Sequence, residues 1–270
     1  MRKILIQFRN VMMKRILLAC LLSCVFNSGW AVTQSKSTLY PSGKKFYINA
    51  GLGDMFTRVE GDNYLGTGTG WPDDHYSVNG SSDQPYGFVG AGYTWDRAST
   101  WLPSYSFGFR FMYVSAATIS GSIDQYSLPG FRNYNYTYDT SLVNLLGIYK
   151  LDLVRWHSLM PYLTLGAGVA NYTTTNYRES ATANVTPRVS PGFADGSGYN
   201  FTYQFGAGID FAVRKDISIN AEFNYADYGT IYTGKGANYA TRTGTNYDNE
   251  SLRNRLAATS VFLGLTYYPA

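Results

Sequence analysis

Few residues in this 270-residue chain could carry chemistry, because it holds two histidines and two cysteines in all. His75 lies in Trp71-Pro-Asp-Asp-His-Tyr76, where Asp73 or Asp74 could pair with the imidazole as a weak acid and base. No obvious nucleophile stands beside it. His157-Ser158 has the residue types of a hydrolytic pair, but it follows Trp156 in a short connection, a setting that suits interfacial anchoring better than nucleophilic catalysis. Cys20 and Cys24 both precede residue 32, so the remainder of the chain excludes a disulfide scaffold, thiol catalysis and cysteine-ligated zinc. The Gly-x-Gly pairs at Gly90 and Gly92, Gly166 and Gly168, and Gly206 and Gly208 lack the third glycine and the following helix of a dinucleotide site. The expectation is no catalytic residue, no metal, no cofactor and no enzyme.

The charge balance points the same way once it is located. The net charge is +4, which would raise the question of nucleic acid, but Arg2, Lys3, Arg9, Lys14 and Arg15 all fall in residues 1–31, where no acid occurs. Residues 32–270 are close to neutral, so no nucleic-acid partner is expected. The basic start, the apolar run Ile16–Phe26 and the small-x-small element Gly29-Trp30-Ala31 have the layout of a signal peptide cleaved near Ala31. That run is short against the roughly 20 apolar residues of a membrane-spanning helix. Met13 would serve equally as a start, and Leu21-Leu-Ser-Cys24 offers a lipoprotein box as the weaker alternative. The organisation read from this is a signal peptide over 1–31, an N-terminal segment over 32–44 and one β domain over 45–270.

The elements of that domain follow from alternation. Eight segments, roughly 45–56, 85–96, 104–115, 138–153, 160–173, 199–213, 217–229 and 255–268, place bulky apolar residues at the period-2 spacing of a strand. Tyr105, Phe107, Phe109, Phe111 and Tyr113 oppose Ser106, Gly108, Arg110 and Met112; Phe201, Tyr203, Phe205, Ile209 and Phe211 oppose Thr202, Gln204, Gly206, Gly208 and Asp210. Eight such strands carry too many aromatics for the narrow interior of a barrel, so the bulky face must point outward into a solvent other than water. About ten residues at roughly 3.3 Å each, tilted near 40°, rise close to 25 Å, the height of the apolar band of a transmembrane barrel. The connections 57–84, 97–103, 116–137, 154–159, 174–198, 214–216 and 230–254 alternate long and short, the asymmetry of extracellular loops and periplasmic turns. The fold class is therefore an all-β, eight-stranded, antiparallel up-and-down transmembrane β-barrel.

Over roughly residues 44–270 the sequence resembles the OmpA-like and opacity-type eight-stranded outer-membrane barrels of Gram-negative bacteria. The residues that carry the resemblance are Phe46-Tyr-Ile-Asn-Ala-Gly-Leu-Gly53, the paired-glycine strands Phe88-Val-Gly-Ala-Gly-Tyr93, Tyr162-Leu-Thr-Leu-Gly-Ala-Gly168 and Phe205-Gly-Ala-Gly-Ile209, the strand Ala221-Glu-Phe-Asn-Tyr-Ala-Asp-Tyr-Gly229, and a terminal strand with Gly264, Tyr267 and Tyr268. The family's last strand usually ends in an aromatic residue; this sequence departs from it with Pro269-Ala270. The resemblance implies an outer-membrane location after export, with outer-membrane lipid, lipopolysaccharide and the barrel-insertion machinery as partners.

Two groups of residues stand out within that frame. Arg110, Lys150, Asp210 and Glu222 take inward positions by parity, sum to zero charge, and should form a hydrogen-bonded network in the lumen. The long connections are dense in Tyr, Asn, Gly, Ser and Thr, the composition of binding paratopes. Trp71, Tyr76, Tyr134, Tyr136, Tyr177, Tyr239 and Tyr247 are the candidate partner-binding side chains there, and a host-surface ligand is the corresponding partner. The expected role is a non-enzymatic, envelope-stabilising surface protein whose loops serve adhesion or host interaction; a narrow porin-like channel is the alternative. A lipid hydrolase and a soluble lipocalin-like carrier are the further rivals. The first would need Ser and His together at the outer leaflet, the second solubility without detergent.

Overall fold

The computed structural model describes residues 43–66, 72–97, 99–186, 192–236 and 250–269; the leader and its expected cleavage site lie outside them. Ten strands follow in order: β1 (Lys44–Glu60), β2 (Asp62–Leu65), β3 (Asp74–Ser81), β4 (Gln84–Asp96), β5 (Ser104–Asp124), β6 (Arg132–Asp152), β7 (Leu159–Ala181), β8 (Gly196–Ala212), β9 (Ile217–Tyr232) and β10 (Arg253–Tyr267). Eight of them close a ring. Each of β4 to β10 pairs antiparallel with the next, β4 pairs with β1, and β10 returns to β1 from Ile48 opposite Tyr267 to Glu60 opposite Arg255. Closure leaves no unpaired edge, the condition for a sheet to satisfy its backbone in hydrocarbon. The strands β2 and β3 form a hairpin whose ladder to the ring, among the described residues, is that of β3 with β5.

Alternation sets the wall. Leu52 is 75% exposed and Phe109 61%, whereas Thr202 and Leu146 are fully buried. Around the ring Val89, Phe111, Leu165, Phe205, Phe223 and Leu263 face outward, and Arg110, Met112, Gln204, Glu222 and Phe262 face the lumen. An outer wall this apolar has no counterpart in a water-soluble sandwich or barrel, whose exposed face is polar. Inside, glycines let long side chains pass. A Cβ on Gly208 would lie 2.5 Å from the Tyr162 ring and from the Ala221 carbonyl oxygen.

All four connections read as long loops are shorter than sequence alone suggests, because the strands run on past the apolar band. The strands β5, β6 and β7 have 21, 21 and 23 residues, about twice what a bilayer requires. The change of environment is marked by irregularities: the β5–β6 ladder slips between Val114 and Ala117, and the β6–β7 ladder between Thr137 and Asp139. A bulge adds one residue and so exchanges the faces of the strand beyond it. Past the slip the inward side chains of β5 are Ala117, Ile119 and Ile123, while Thr118 points out. Beyond the band the polarity is thus reversed, apolar inside and polar outside, as water demands. From Ser81 opposite Ile119 to His75 opposite Asp124, β3 takes over from β4 as the partner of β5.

Candidate functional site

Two layers fill the barrel. Nearest the short turns is a polar one, in which all four predicted lumen residues meet. Arg110 Nη1 lies 3.3 Å from Glu222 Oε1 and donates to it. Glu222 also accepts hydrogen bonds from the Tyr162 hydroxyl at 3.0 Å and the Thr164 hydroxyl at 3.2 Å. Lys150 donates to Asp210 and lies 3.1 Å from Asp152 Oδ1, with its ammonium 4.3 Å from the centroid of Tyr162. Asp152 in turn accepts from Ser104. The sequence reading missed Asp152, Tyr162 and Thr164, although Asp152 stands two residues from Lys150 and so on the same face of a strand. With Asp152 the layer holds three carboxylates against two cations, not the balanced set expected. The cavity these side chains leave has a volume of about 30 Å³, room for little more than a water molecule.

Above that layer the lumen turns apolar. Arg110 is the junction: its guanidinium carbon lies 4.5 Å from the Phe88 ring and 5.0 Å from the Phe262 ring, and the two rings meet edge to face at 4.6 Å. Phe88, Met112, Val114, Leu142, Ala170, Tyr172, Tyr228, Leu256 and Phe262 continue as one buried cluster into the strand extensions. The hairpin of β2 and β3 stands between β5 and β10 in the extended wall. Asn63 of β2 accepts from the Arg253 backbone N–H at 2.8 Å, and Asn254 donates to the Tyr138 hydroxyl at 2.7 Å.

The extensions and the hairpin make a crown with its own aromatic core. Tyr76 lies 5.6 Å from Tyr136, Tyr136 lies 6.3 Å from Tyr138, and Tyr177 meets Phe193 at 4.8 Å. Of the side chains expected to contact a partner, Tyr76, Tyr134 and Tyr136 are buried here and Tyr177 packs against the cluster. Trp71, Tyr239 and Tyr247 lie outside the described residues. Burial pushes the Tyr136 and Tyr138 phenols well above their usual range.

His75 does not pair with either neighbour in sequence. Alternation turns Asp74 to the opposite face, where its carboxylate accepts the Tyr126 backbone N–H at 2.9 Å. The imidazole instead lies 3.4 Å from Asp62 and 3.7 Å from Asp124, stacked on Tyr64 at 4.7 Å. Arg132 clamps Asp124 with two hydrogen bonds of 2.8 and 3.2 Å. These hold the Asp124 carboxyl below the usual carboxylate range against the opposing effect of burial. The Asp74 and Asp73 contacts also steady the turn between β5 and β6, where Tyr126 and Ser127 both have φ of 56° and the Ser127 hydroxyl donates to the Asp73 carbonyl at 2.7 Å. At the other end, His157 has φ of 54° within a tight turn closed by Trp156 and Leu159, and its ring lies 6.5 Å from that of Trp156.

Fold and site together define a closed eight-stranded up-and-down β-barrel with an apolar outer wall, a filled lumen and a folded crown. No family model matches the chain, and no curated protein matches it. Among solved structures the chain is similar to Neisserial surface protein A, with 12% identity, 84% of this chain and 99% of that one covered, and a TM-score of 0.44. It is also similar to the outer membrane protein OprG from Pseudomonas aeruginosa, with 14% identity, 85% and 97% coverage and a TM-score of 0.43. A third similarity is to Ail, the attachment invasion locus protein of Yersinia pestis, with 12% identity, 84% and 99% coverage and a TM-score of 0.33.

Proposed function

We propose that the protein is a non-enzymatic barrel of the bacterial outer membrane, exported by its leader, that does not conduct solutes and presents the crown to the cell exterior. The short turns then face the periplasm. The observation that carries this reading is the double closure of the lumen: a network of buried ions around a cavity of about 30 Å³, and above it an apolar cluster with Phe88 and Phe262 in contact. A narrow channel would need both layers to move. The crown supports a role in contact with other surfaces. The turn at the far end of the β5–β6 hairpin exposes Leu128 and Phe131, and Tyr64 is 60% exposed beside His75; these apolar side chains offer a partner contact area on a folded support. Adhesion to a host or neighbouring surface is the function this arrangement fits, with envelope stabilisation as the contribution of the barrel itself.

Planar-bilayer recording of the refolded protein tests the closed lumen. The expected result is no stable conductance step in the wild type. Discrete, reproducible steps that an Arg110→Ala substitution changes in size would overturn it in favour of the channel. For the crown, binding of whole cells or extracellular matrix to vesicles bearing the protein should fall when Leu128 and Phe131 are both replaced by Ser. Equal binding by both forms would remove the turn from the proposed contact.

A further inference from the structure

The lipid-facing wall is not uniform around its periplasmic rim. On one sector, five outward rings form a continuous ladder across four strands. Phe46 of β1 meets Tyr93 of β4 at 5.5 Å, Tyr93 lies 6.4 Å from Trp95, Trp95 stacks on Tyr105 of β5 at 5.3 Å, and Tyr105 lies 6.4 Å from Tyr149 of β6. Two cations sit on this ladder. The Lys44 ammonium lies 4.7 Å from the Tyr93 ring and 5.6 Å from that of Trp95, and the Arg97 guanidinium lies 5.1 Å from Tyr105.

The other arginines of this rim are engaged by acids, Arg155 with Asp96 at 2.7 Å and Arg214 with Asp216 at 3.4 Å. Among the described residues no carboxylate pairs with Lys44 or Arg97. Aromatic rings of this kind settle at the level of lipid headgroups. A cation held against them at that depth is half withdrawn from water, and a lipid phosphate is the anion within its reach. The ring contacts also fix the side chains, so less freedom is lost when an anion arrives.

We propose that this sector, centred on Lys44, Trp95, Arg97 and Tyr105, is a seat for the headgroup of an anionic phospholipid of the periplasmic leaflet. The two cations face the phosphodiester from either side of the Trp95–Tyr105 stack, and the acyl chains run up the apolar wall of β1, β4 and β5. The inference rests on the membrane-spanning reading of the barrel and goes beyond it by selecting one lipid class and one sector.

The test is native mass spectrometry of the refolded full barrel with phosphatidylglycerol or phosphatidylcholine of identical chains. Phosphatidylglycerol should be retained in preference. In a variant carrying Lys44→Gln and Arg97→Gln its apparent affinity should fall about twenty-fivefold, from about fivefold per interfacial charge, with phosphatidylcholine unaffected. Lys215→Gln, a charge removed from the opposite sector, should leave both unchanged. Equal retention of the two lipids, no loss in the double variant, or an equal loss on Lys215→Gln would overturn the seat. So would displacement of the lipid by millimolar glycerol phosphate, which would make the site one for free phosphate. Heat-modifiable gel migration, followed on the same samples, reports the barrel independently: its absence would refute the membrane-spanning reading itself.

Discussion

Replacing Arg110 by Met keeps most of the side-chain volume and removes the charge at the junction of the two lumen layers. The Arg110 and Glu222 side chains are 8% and 2% exposed, so the substitution strands a buried carboxylate, a loss of about 3–5 kcal/mol when one partner of a buried pair is removed. Tyr162 and Thr164 continue to donate to Glu222, which places the loss at the lower end, about 3 kcal/mol. Withdrawal of the guanidinium from the Phe88 and Phe262 rings adds roughly 1 kcal/mol. The double variant Arg110→Met with Glu222→Gln has no stranded charge and should return to within about 1 kcal/mol of the wild type, and because Glu222→Gln alone also leaves Arg110 unpaired, the double-mutant cycle should show a coupling larger than about 3 kcal/mol. Urea unfolding of protein refolded into lipid vesicles measures all four species, with tryptophan fluorescence and heat-modifiable migration as probes. If the single variant costs less than about 1 kcal/mol and the cycle shows no coupling, the pair behaves as a solvated one. The lumen would then be open to water, and the reasoning that closes it would fail.

Other expectations follow from the packing. Gly208→Val forces the Tyr162 ring away from Glu222 and should cost about 1–3 kcal/mol in the same unfolding assay; a neutral effect would show that the strands can separate at that point. Tyr136→Ala opens the crown core, and hydrogen exchange should rise in 117–124 and 132–139 while the barrel keeps its heat-modifiable migration. Asp124 has its carboxyl held low by Arg132, so the clamp contributes above the unfolded carboxylate range, near pH 4, and is lost as pH falls through the lower folded value. Asp124→Asn should therefore speed proteolysis of the β5–β6 turn at neutral pH, with wild type and variant converging only in stronger acid; convergence already at pH 5 would argue against the clamp.

The transmembrane part of this fold is legible in the sequence because lipid and a narrow lumen impose opposite demands on neighbouring residues. Tyr105 to Tyr113 and Phe201 to Phe211 state their facing without help. Parity alone places Arg110, Lys150, Asp210 and Glu222 inward, and the structure brings them into one layer. The crown was not legible as strand. Ile119, Ile123, Tyr134 and Tyr136 do alternate, but with Ser, Gly, Asn and Thr, a mixture that reads equally as loop. Composition marks Tyr76 and Tyr136 as contact residues because it says nothing about which way a tyrosine points; the strand alternation of β6, unbroken from Tyr134 to Asp152, turns Tyr136 inward, and the long-range pairing of β3 with β5 turns Tyr76 inward. Sequence proximity offers His75 only Asp73 and Asp74, whereas the register of β2, β3 and β5 gives it Asp62 and Asp124.

The separation of inward from outward side chains in the crown parts of β5 and β6 bears on how the exposed surface can diversify. In an ordinary long loop, conformation depends on the same residues that a partner or an antibody meets, so variation in one disturbs the other. In the crown the two are separated side chain by side chain along a single strand. Thr118, Asn135 and Thr137 are outward and exposed, while Ile119, Tyr134 and Tyr136 beneath them hold the shape. Exposed positions of a sheet accept substitution at little cost. The exposed chemistry of the crown can therefore drift at every second residue on a scaffold that stays the same.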